Sequence, residues 1–139
     1  LQQTDVAELN MSEIRVVTRS QPALQELEDM FFAWGVCKFV KSNAIVVVKN
    51  GATVGIGAGQ MNRVGAAEIA LKQAGGKAKK AVLASDGYFP FADSIDLARK
   101  HGISAIIQPG GSIRDEDVIK AANKYRMTMV FTGRRHFRH

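Results

Sequence analysis

The sequence has little cysteine and no long hydrophobic segment, and both absences restrict what the protein can be. Cys37 is the single cysteine among 139 residues, so the chain cannot form an internal disulfide, and one thiolate cannot hold a structural zinc ion. The longest apolar runs, such as residues 44–48, are far too short to cross a bilayer. Residues 1–5 contain no initiator Met, basic region or apolar signal core. These features indicate a domain of the reducing cytoplasm, cut from a longer chain and without a membrane span.

Acidic residues are the minority among the charged side chains. The chain has 19 Lys and Arg residues against 13 Asp and Glu residues, a net charge of +6 and an isoelectric point near 9.7. This balance favours an anionic partner, which can be a nucleic acid, a nucleotide or a polyanionic cofactor. Lys77, Lys79 and Lys80 lie in a glycine-rich stretch that we interpret as a solvated loop. A second basic group at the end of the sequence comprises Arg134, Arg135, His136, Arg138 and His139.

Hydrophobic periodicity predicts one α/β domain. Apolar residues at three- and four-residue spacing over 22–40 predict a helix, with Pro22 in its first turn after Ser20 or Gln21. Two β-rich runs, 44–49 and 52–56, flank Asn50-Gly51, which is the strongest short-range signal for a hairpin. This order, followed by helix–strand units, predicts a three-layer α/β/α sandwich around one core. The helices of these units are expected at 63–74, 92–100 and 114–124, the strands at 81–84, 104–107 and 128–131, and a linker at 75–80.

The same order of elements resembles the cytidine deaminase fold, whose enzymes use a zinc-activated water. That chemistry requires a His or Cys followed two residues later by Glu, and a Pro-Cys-x-x-Cys pair on a second helix. The sequence contains neither arrangement, and Cys37 alone cannot complete a zinc ligand set. The fold is therefore expected without zinc and without deaminase chemistry.

A glycine-rich segment and a single polar residue near the first strands each have both a structural and a functional interpretation. Segment 55–60, GIGAGQ, leads from a strand toward a helix, but Gln60 stands where a dinucleotide fingerprint requires Gly or Ala. We therefore interpret it as a strand end whose small residues allow close packing. Asn43 is a polar side chain entering an apolar region, so it must find hydrogen-bond partners or face a cavity.

Two later loops each follow a strand and open a helix, where ligands of open α/β sheets bind. Segment 85–93, SDGYFPFAD, carries three aromatic residues that either stack on a flat heterocycle or fill the core. In segment 109–115, PGGSIRD, Ser112 is expected to cap the helix, with Asp115 completing a variant capping box. Free backbone N–H groups around Gly110 and Gly111 are expected to receive an anion or a polar ring edge.

Long, separated segments also match the motifs of one family almost literally. They are 39–45 (FVKSNAI), 49–51 (KNG), 55–61 (GIGAGQM) with Arg63, 84–86 (ASD) with 89–91 (FPF), 107–115 (IQPGGSIRD), and 131–133 (FTG) with 135–139 (RHFRH). From about residue 15 to its last residue the chain thus resembles the bifunctional purine biosynthesis enzymes with AICAR transformylase and IMP cyclohydrolase activities. AICAR is aminoimidazole carboxamide ribonucleotide. The resemblance identifies residues 1–139 as the C-terminal subdomain of the transformylase domain.

The resemblance implies transfer of a formyl group from 10-formyltetrahydrofolate to the 5-amino group of AICAR. It also implies two deaminase-like subdomains without zinc, and an active site that lies across a homodimer interface. By motif, Asn43 would contact the AICAR base or carboxamide, Tyr88 would lie against the nucleotide, and Arg135 would meet its phosphate. Ser42 and Asp86 resemble part of a buried potassium site. Folate contacts are implied for Arg63, Val64, Asp93, Ser112 and Ile113.

The sequence departs from the family pattern in a few places. Tyr88 stands where Phe is expected, Gly87 replaces a usual Ala, and Ala92 takes a position that is usually basic. The family's catalytic Lys-His pair belongs to the other subdomain, so Asn43 has a supporting role only. Lys100-His101 matches the pair in letters alone and is interpreted as the last turn of a helix. His136 and His139 are formal candidates for an acid or base, but nothing in the family pattern supports them.

Two other classes of function remain open at this point. A stand-alone module that binds nucleotides or folates would keep the ligand loops without catalysing a reaction. A nucleic-acid-binding domain would use the Arg-rich end of the chain, and its affinity would fall steeply with salt. The family resemblance favours neither of these, and it implies no nucleic-acid partner.

Overall fold

The computed structural model describes residues 14–133. Within this range the chain has a mixed α/β fold with a six-stranded sheet and four helices. A short 3₁₀ helix, Gly75–Ala78, lies between the helix Arg63–Ala74 and the strand Val82–Ser85. The elements in chain order are β1 (Arg15–Val16), α1 (Leu24–Cys37), β2 (Ile45–Lys49), β3 (Ala52–Gly57), α2 (Arg63–Ala74), β4 (Val82–Ser85), α3 (Asp93–Lys100), β5 (Ala105–Gln108), α4 (Asp115–Lys124) and β6 (Thr128–Phe131).

The strand order is β1-β6-β5-β4-β2-β3. Strands β4, β5 and β6 are parallel, whereas β2 is antiparallel to both β3 and β4, and β1 is antiparallel to β6. Ile45, the first residue of β2, lies opposite Ser85 and Gly57, the last residues of β4 and β3. The start of β2 and the ends of β3, β4, β5 and β6 therefore share one end of the sheet, which we term the carboxyl end.

Two clusters of buried apolar side chains hold the helices against the strands. Successive strand residues point to opposite faces, so β2, β4, β5 and β6 each contribute to both clusters. One cluster includes Ile45, Val47, Leu83, Ile106 and Met129 together with residues of α2, α3 and α4. The other includes Val46, Val48, Val82, Ala84 and Ile107 together with Met30, Ala33, Trp34 and Cys37 of α1.

Close packing between β3 and α2 accounts for two of the glycines in segment 55–60. A β-carbon at Gly57 would collide with the backbone carbonyl of Ala66, and one at Gly55 would collide with that of Ala70. The packing interpretation of this segment is confirmed. The strand and helix approach so closely because α2 presents alanines toward β3.

The boundaries of some elements differ from the expectation. Helix α1 begins at Leu24 with Ala23 in the cap position, later than the predicted start at Pro22, and the Glu26 carboxylate accepts from the Ala23 N–H at 2.9 Å. Strand β1 is absent from the sequence prediction because two residues carry no periodicity. The predicted linker at 75–80 is partly helical, and Ala78 is buried. Among residues 14–133, none of the helices combines the length and the apolar character needed to span a membrane.

Candidate ligand site at the carboxyl end of the sheet

Every described residue that the family resemblance assigns to a ligand lies at the carboxyl end of the sheet. Ser42 and Asn43 precede β2, while Arg63 and Val64 form the first turn of α2 after β3. The other assigned residues follow β4 or β5, as expected for ligand loops of open α/β sheets. They are Asp86, Tyr88 and Asp93 after β4, and Ser112 and Ile113 after β5.

Four of these residues form one hydrogen-bonded group, which we term the polar cluster: Ser42, Asn43, Arg63 and Asp86. The Arg63 guanidinium forms an ion pair with the Asp86 carboxylate through Nη1, and its Nη2 donates to Oδ1 of Asn43 at 2.8 Å. The Ser42 hydroxyl donates to the other oxygen of Asp86 at 2.7 Å. The Asn43 amide nitrogen donates to the Gln60 carbonyl at 2.8 Å. The cluster links the start of β2, the start of α2 and the end of β4.

The polar cluster is largely shielded from solvent. The Asp86 side chain is completely buried and that of Arg63 is 10% exposed, so each charge depends on the other for compensation. Burial also raises the pKa of the nearby Cys37 thiol far above its ordinary value, and the Asp86 charge raises it further while Arg63 lowers it. Cys37 is therefore an inert thiol beside the site rather than a nucleophile.

Gly87 lies directly against the guanidinium of Arg63. A β-carbon at this position would lie 2.5 Å from Arg63 Nη2 and 2.9 Å from Cζ. The Gly87 found here in place of the usual Ala thus leaves room for the observed position of Arg63.

The three aromatic residues of segment 85–93 have different environments. Phe89 is buried in the core, and its N–H faces the Gln108 side-chain oxygen at 3.4 Å. Tyr88 is half-buried, whereas Phe91 is 53% exposed and lies under the Arg114 guanidinium at 5.6 Å. Core filling therefore applies to Phe89, and Tyr88 and Phe91 keep exposed ring surface. Asp93, the first residue of α3, is exposed.

The prediction that Ser112 caps α4 is wrong, because α4 begins at Asp115 with Arg114 in the cap position and no side-chain capping bond. The predicted contact of Asp115 with Ser112 is formed within the loop before the helix. The Ser112 hydroxyl accepts from the Arg114 N–H at 3.0 Å, and the Asp115 carboxylate accepts from the Ser112 N–H at 3.1 Å. The expectation that Gly110 and Gly111 offer free N–H groups is wrong. Gly110 donates to the Gln108 side chain at 3.2 Å, and Gly111 donates to Asp115 at 2.8 Å.

The other assigned residues are placed as follows. Val64 is half-buried, and Ile113 is 99% exposed beside Ser112. Lys100 is the last residue of α3 and His101 is its cap, so the prediction of a final helical turn is confirmed. Arg135, His136 and His139 lie outside the described residues.

The structure gives no support for a metal at the predicted potassium position. It brings Ser42 and Asp86 together as expected, but the Asp86 carboxylate is already compensated by Arg63. Within residues 14–133, no group of three or more His, Cys, Asp or Glu side chains could hold a metal ion. The donor set found here therefore fits an internal ion pair better than a cation.

Two supporting residues were missed by the sequence interpretation. The backbone carbonyl of Gln60 holds Asn43, and the buried Gln108 side chain positions Phe89 and Gly110. The Gln60 contact uses a backbone atom, so residue type gives no signal for it. A polar residue at the end of an otherwise apolar strand was the available signal for Gln108.

Comparison with known proteins identifies the family. The family model described as the AICARFT/IMPCHase bienzyme matches residues 1–73. The chain belongs to this family. The bifunctional purine biosynthesis protein PurH of Anoxybacillus flavithermus is 58% identical over 139 residues, which are 100% of this chain and 27% of that protein. PurH of Bacillus subtilis is 57% identical with the same coverage.

The chain is matched over its full length but corresponds to only part of each relative. It spans about a quarter of the length of the PurH proteins it matches, as the 27% coverage shows. Among solved structures, the chain titled Acinetobacter baumannii RibD, form 2, is similar with a TM-score of 0.52 and 12% identity. The similarity covers 91% of this chain and 34% of that one, and at this identity it concerns the fold alone.

Proposed function

We propose that residues 1–139 are the C-terminal subdomain of the transformylase domain of a bifunctional purine biosynthesis enzyme. The complete enzyme transfers a formyl group from 10-formyltetrahydrofolate to AICAR, and its second activity is IMP cyclohydrolase. The observation that carries the proposal is the gathering of the described ligand-assigned residues at one end of the sheet. Membership of the bienzyme family and 58% identity to a PurH protein across the whole chain support it.

Asn43 is suited to hold the AICAR base or carboxamide. Its Oδ1 accepts one bond from Arg63 and its Nδ2 donates one bond to Gln60. An amide has two acceptor sites and two donor hydrogens, so these bonds leave one of each for a ligand while fixing the orientation of the group. In this proposal the half-buried ring of Tyr88 lies against the nucleotide and Arg135 binds its phosphate.

The folate co-substrate is assigned to the neighbouring surface. Arg63 has five N–H donors, and its bonds to Asp86 and Asn43 leave donors for polar atoms of the cofactor. Asp93 is the first residue of α3 and Ser112 lies in the loop before α4, where the exposed Ile113 side chain offers apolar surface for a flat ring. Val64, which follows Arg63 in the first turn of α2, is the remaining residue that we assign to the folate.

The reaction also requires groups that lie elsewhere in the complete enzyme. The amine of AICAR must lose a proton as it attacks the formyl carbon, and the resulting oxyanion must be stabilised. The polar cluster contains no acid–base group suited to this, because Arg63 stays charged and the Asp86 carboxylate is committed to it. Asn43 therefore positions substrate while the upstream subdomain supplies proton transfer.

The finer description of the fold and its surroundings belongs to the same proposal. A three-layer, cytidine deaminase-like α/β/α sandwich agrees with the two apolar clusters and with the similarity to RibD. We propose a cytoplasmic homodimer that uses AICAR and folate, with no zinc, nucleic acid or membrane in its function. The potassium assignment to Ser42 and Asp86 is not carried further, because Arg63 already compensates Asp86.

The test is steady-state formyl transfer by the complete protein that contains this chain, with the Asn43→Ala variant. We expect the KM for AICAR to rise at least about tenfold, which is the order for leaving a polar group of the bound substrate without its hydrogen-bond partner. Asn123→Ala is the matched control, because the Asn123 side chain accepts a hydrogen bond from the Arg19 backbone N–H at the other end of the sheet. Unchanged AICAR kinetics in Asn43→Ala, or a wild type without formyl transfer, would contradict the proposal.

A further inference from the structure

Beyond the polar cluster, the carboxyl end of the sheet contains a groove of about 710 Å³ with no assigned role. It lies beside the ends of β5 and β6 and the start of β1, so it adjoins the loop that carries Ser112 and Ile113. Its lining residues are Ile14, Arg15, Pro109, Gly110, Gly111, Asp115, Phe131 and Gly133.

The two charged residues of this lining differ in their existing contacts. The Asp115 carboxylate accepts from the backbone N–H groups of Gly111 and Ser112, so it is committed to the start of α4. Within residues 14–133 the Arg15 guanidinium has no carboxylate partner, and it lies over the Phe131 ring, 6.0 Å from the ring centroid. Arg15 is therefore the positively charged residue of this lining whose guanidinium N–H groups can bind a ligand.

Backbone geometry fixes the position of Arg15. Its Cα pairs with that of Phe131, the last residue of β6, so Arg15 lies at the carboxyl end. Phe131 is buried and packs closely against Gly110, where a β-carbon would lie 2.6 Å from the ring. The ring thus connects Arg15 to the loop before α4, and a ligand in the groove would meet this guanidinium.

We propose that Arg15 binds an anionic group of a substrate in this groove. The inference rests on the proposed function, which supplies two anionic candidates: the phosphate of AICAR and the carboxylates of the folate. A guanidinium binds either through two parallel charge-assisted bonds. The backbone N–H groups of Gly110 and Gly111 cannot replace it, because both already donate to side chains.

The experiment compares Arg15→Gln, Arg15→Lys and Arg19→Gln in the complete protein. Arg19 is the matched control, since it is an exposed Arg of the same segment. Its backbone N–H donates to the Asn123 side chain at the opposite end of the sheet. We expect Arg15→Gln to raise the KM for one substrate at least about tenfold, as for loss of a bond to a charged group, with kcat within about twofold. Arg15→Lys should recover part of the loss, and Arg19→Gln should match the wild type.

The two sources of the anion give different results. A rise confined to AICAR assigns the phosphate, and a rise confined to 10-formyltetrahydrofolate assigns the carboxylates. Unchanged KM values for both substrates in Arg15→Gln overturn the assignment while leaving the proposed function intact. If the wild type shows no formyl transfer, the proposed function fails, and calorimetric titration of the same variants with AICAR and with 10-formyltetrahydrofolate then decides the role of Arg15. Equal affinities in wild type and Arg15→Gln, or no binding by either, reject it.

Discussion

The Asp86 carboxylate is fully buried and accepts bonds from two different parts of the chain, Ser42 and Arg63. Removing its charge would leave the Arg63 guanidinium buried without compensation. The exposed pair between Arg114 and Asp117 is a natural contrast, because both of its side chains are more than half exposed. Water and salt screen such a surface pair, whereas they screen the buried pair much less.

We expect Asp86→Asn to lower the free energy of unfolding by about 3–5 kcal/mol, the usual cost of breaking a buried ion pair from one side. Asp117→Asn should cost about 1 kcal/mol or less. Urea denaturation of the two variants and the wild type measures both values. Equal, small losses in both variants would show that the Arg63–Asp86 pair is not buried in solution.

The sequence allowed the members of the polar cluster to be chosen but not their partners. Ser42, Asn43, Arg63 and Asp86 are each recognisable from the family motifs. Asp86 was predicted to face a cation, and the structure pairs it with Arg63, which is 23 residues away and had been assigned to folate. Which charges meet depends on side-chain directions at the sheet end, and these are set by packing rather than by residue type.

At the scale of the elements, the β2–β3 hairpin and its contact with α2 determine where the polar cluster lies, because Asn43 precedes β2 and Arg63 begins α2. Asn50 and Gly51 both have positive φ, at 52° and 78°, as expected for the Asn-Gly turn read from the sequence. The turn is also held by α1, since the buried Asp29 carboxylate accepts from the N–H groups of Asn50 and Gly51. In the sequence, Asp29 is an acidic residue within a predicted helix. Nothing in that pattern indicates that its carboxylate contacts a turn more than 20 residues later.

Gly57→Ala tests the close approach of β3 and α2. The added methyl group would meet the Ala66 carbonyl, which belongs to the helix backbone and cannot turn away. We expect a loss of about 1–3 kcal/mol in the free energy of unfolding, the usual cost of overpacking. Thermal denaturation followed by circular dichroism measures it.

Gly35→Ala is the matched control for that substitution. Gly35 lies in α1, where a β-carbon would have nothing within 4 Å, so alanine should be neutral or stabilising by up to about 1 kcal/mol through helix propensity. A Gly57→Ala protein as stable as wild type would mean that β3 and α2 lie farther apart in solution.

The order of elements was predictable because helix and strand periodicities differ, and the Asn-Gly turn fixed the hairpin. The boundaries of the elements were less predictable than their order. Pro22 suits a helix start, yet α1 begins at Leu24, because the Glu26 carboxylate then accepts from the Ala23 N–H. Strand β1 was not predictable at all, because its two residues become a strand only through pairing with β6.

On the scale of the whole molecule, the chain spans 27% of the length of its PurH relatives, and the proposed reaction needs groups beyond it. We expect the isolated chain to transfer no formyl group at a measurable fraction of the complete enzyme's rate. Loss of general acid–base catalysis alone costs about 100- to 10,000-fold. Release of tetrahydrofolate, followed with the chain alone and after adding the separately produced remainder, measures this.

Turnover by the isolated chain near the rate of the complete enzyme would contradict that expectation and would point to His136 or His139 as the base. Binding of AICAR or folate without turnover, even after the remainder is added, would instead support a binding module. Recovery of activity only in the mixture is the expected result.

The pairing of β1 with β6 has a consequence for synthesis of the chain. Thr18, just after β1, accepts from the N–H of Met129, a residue 111 positions later. During translation the segment that becomes β1 therefore has no strand to pair with until β6 has left the ribosome. Contacts so distant in sequence are slow to form, so we expect this edge of the sheet, and with it the groove beside Arg15, to be completed late in folding.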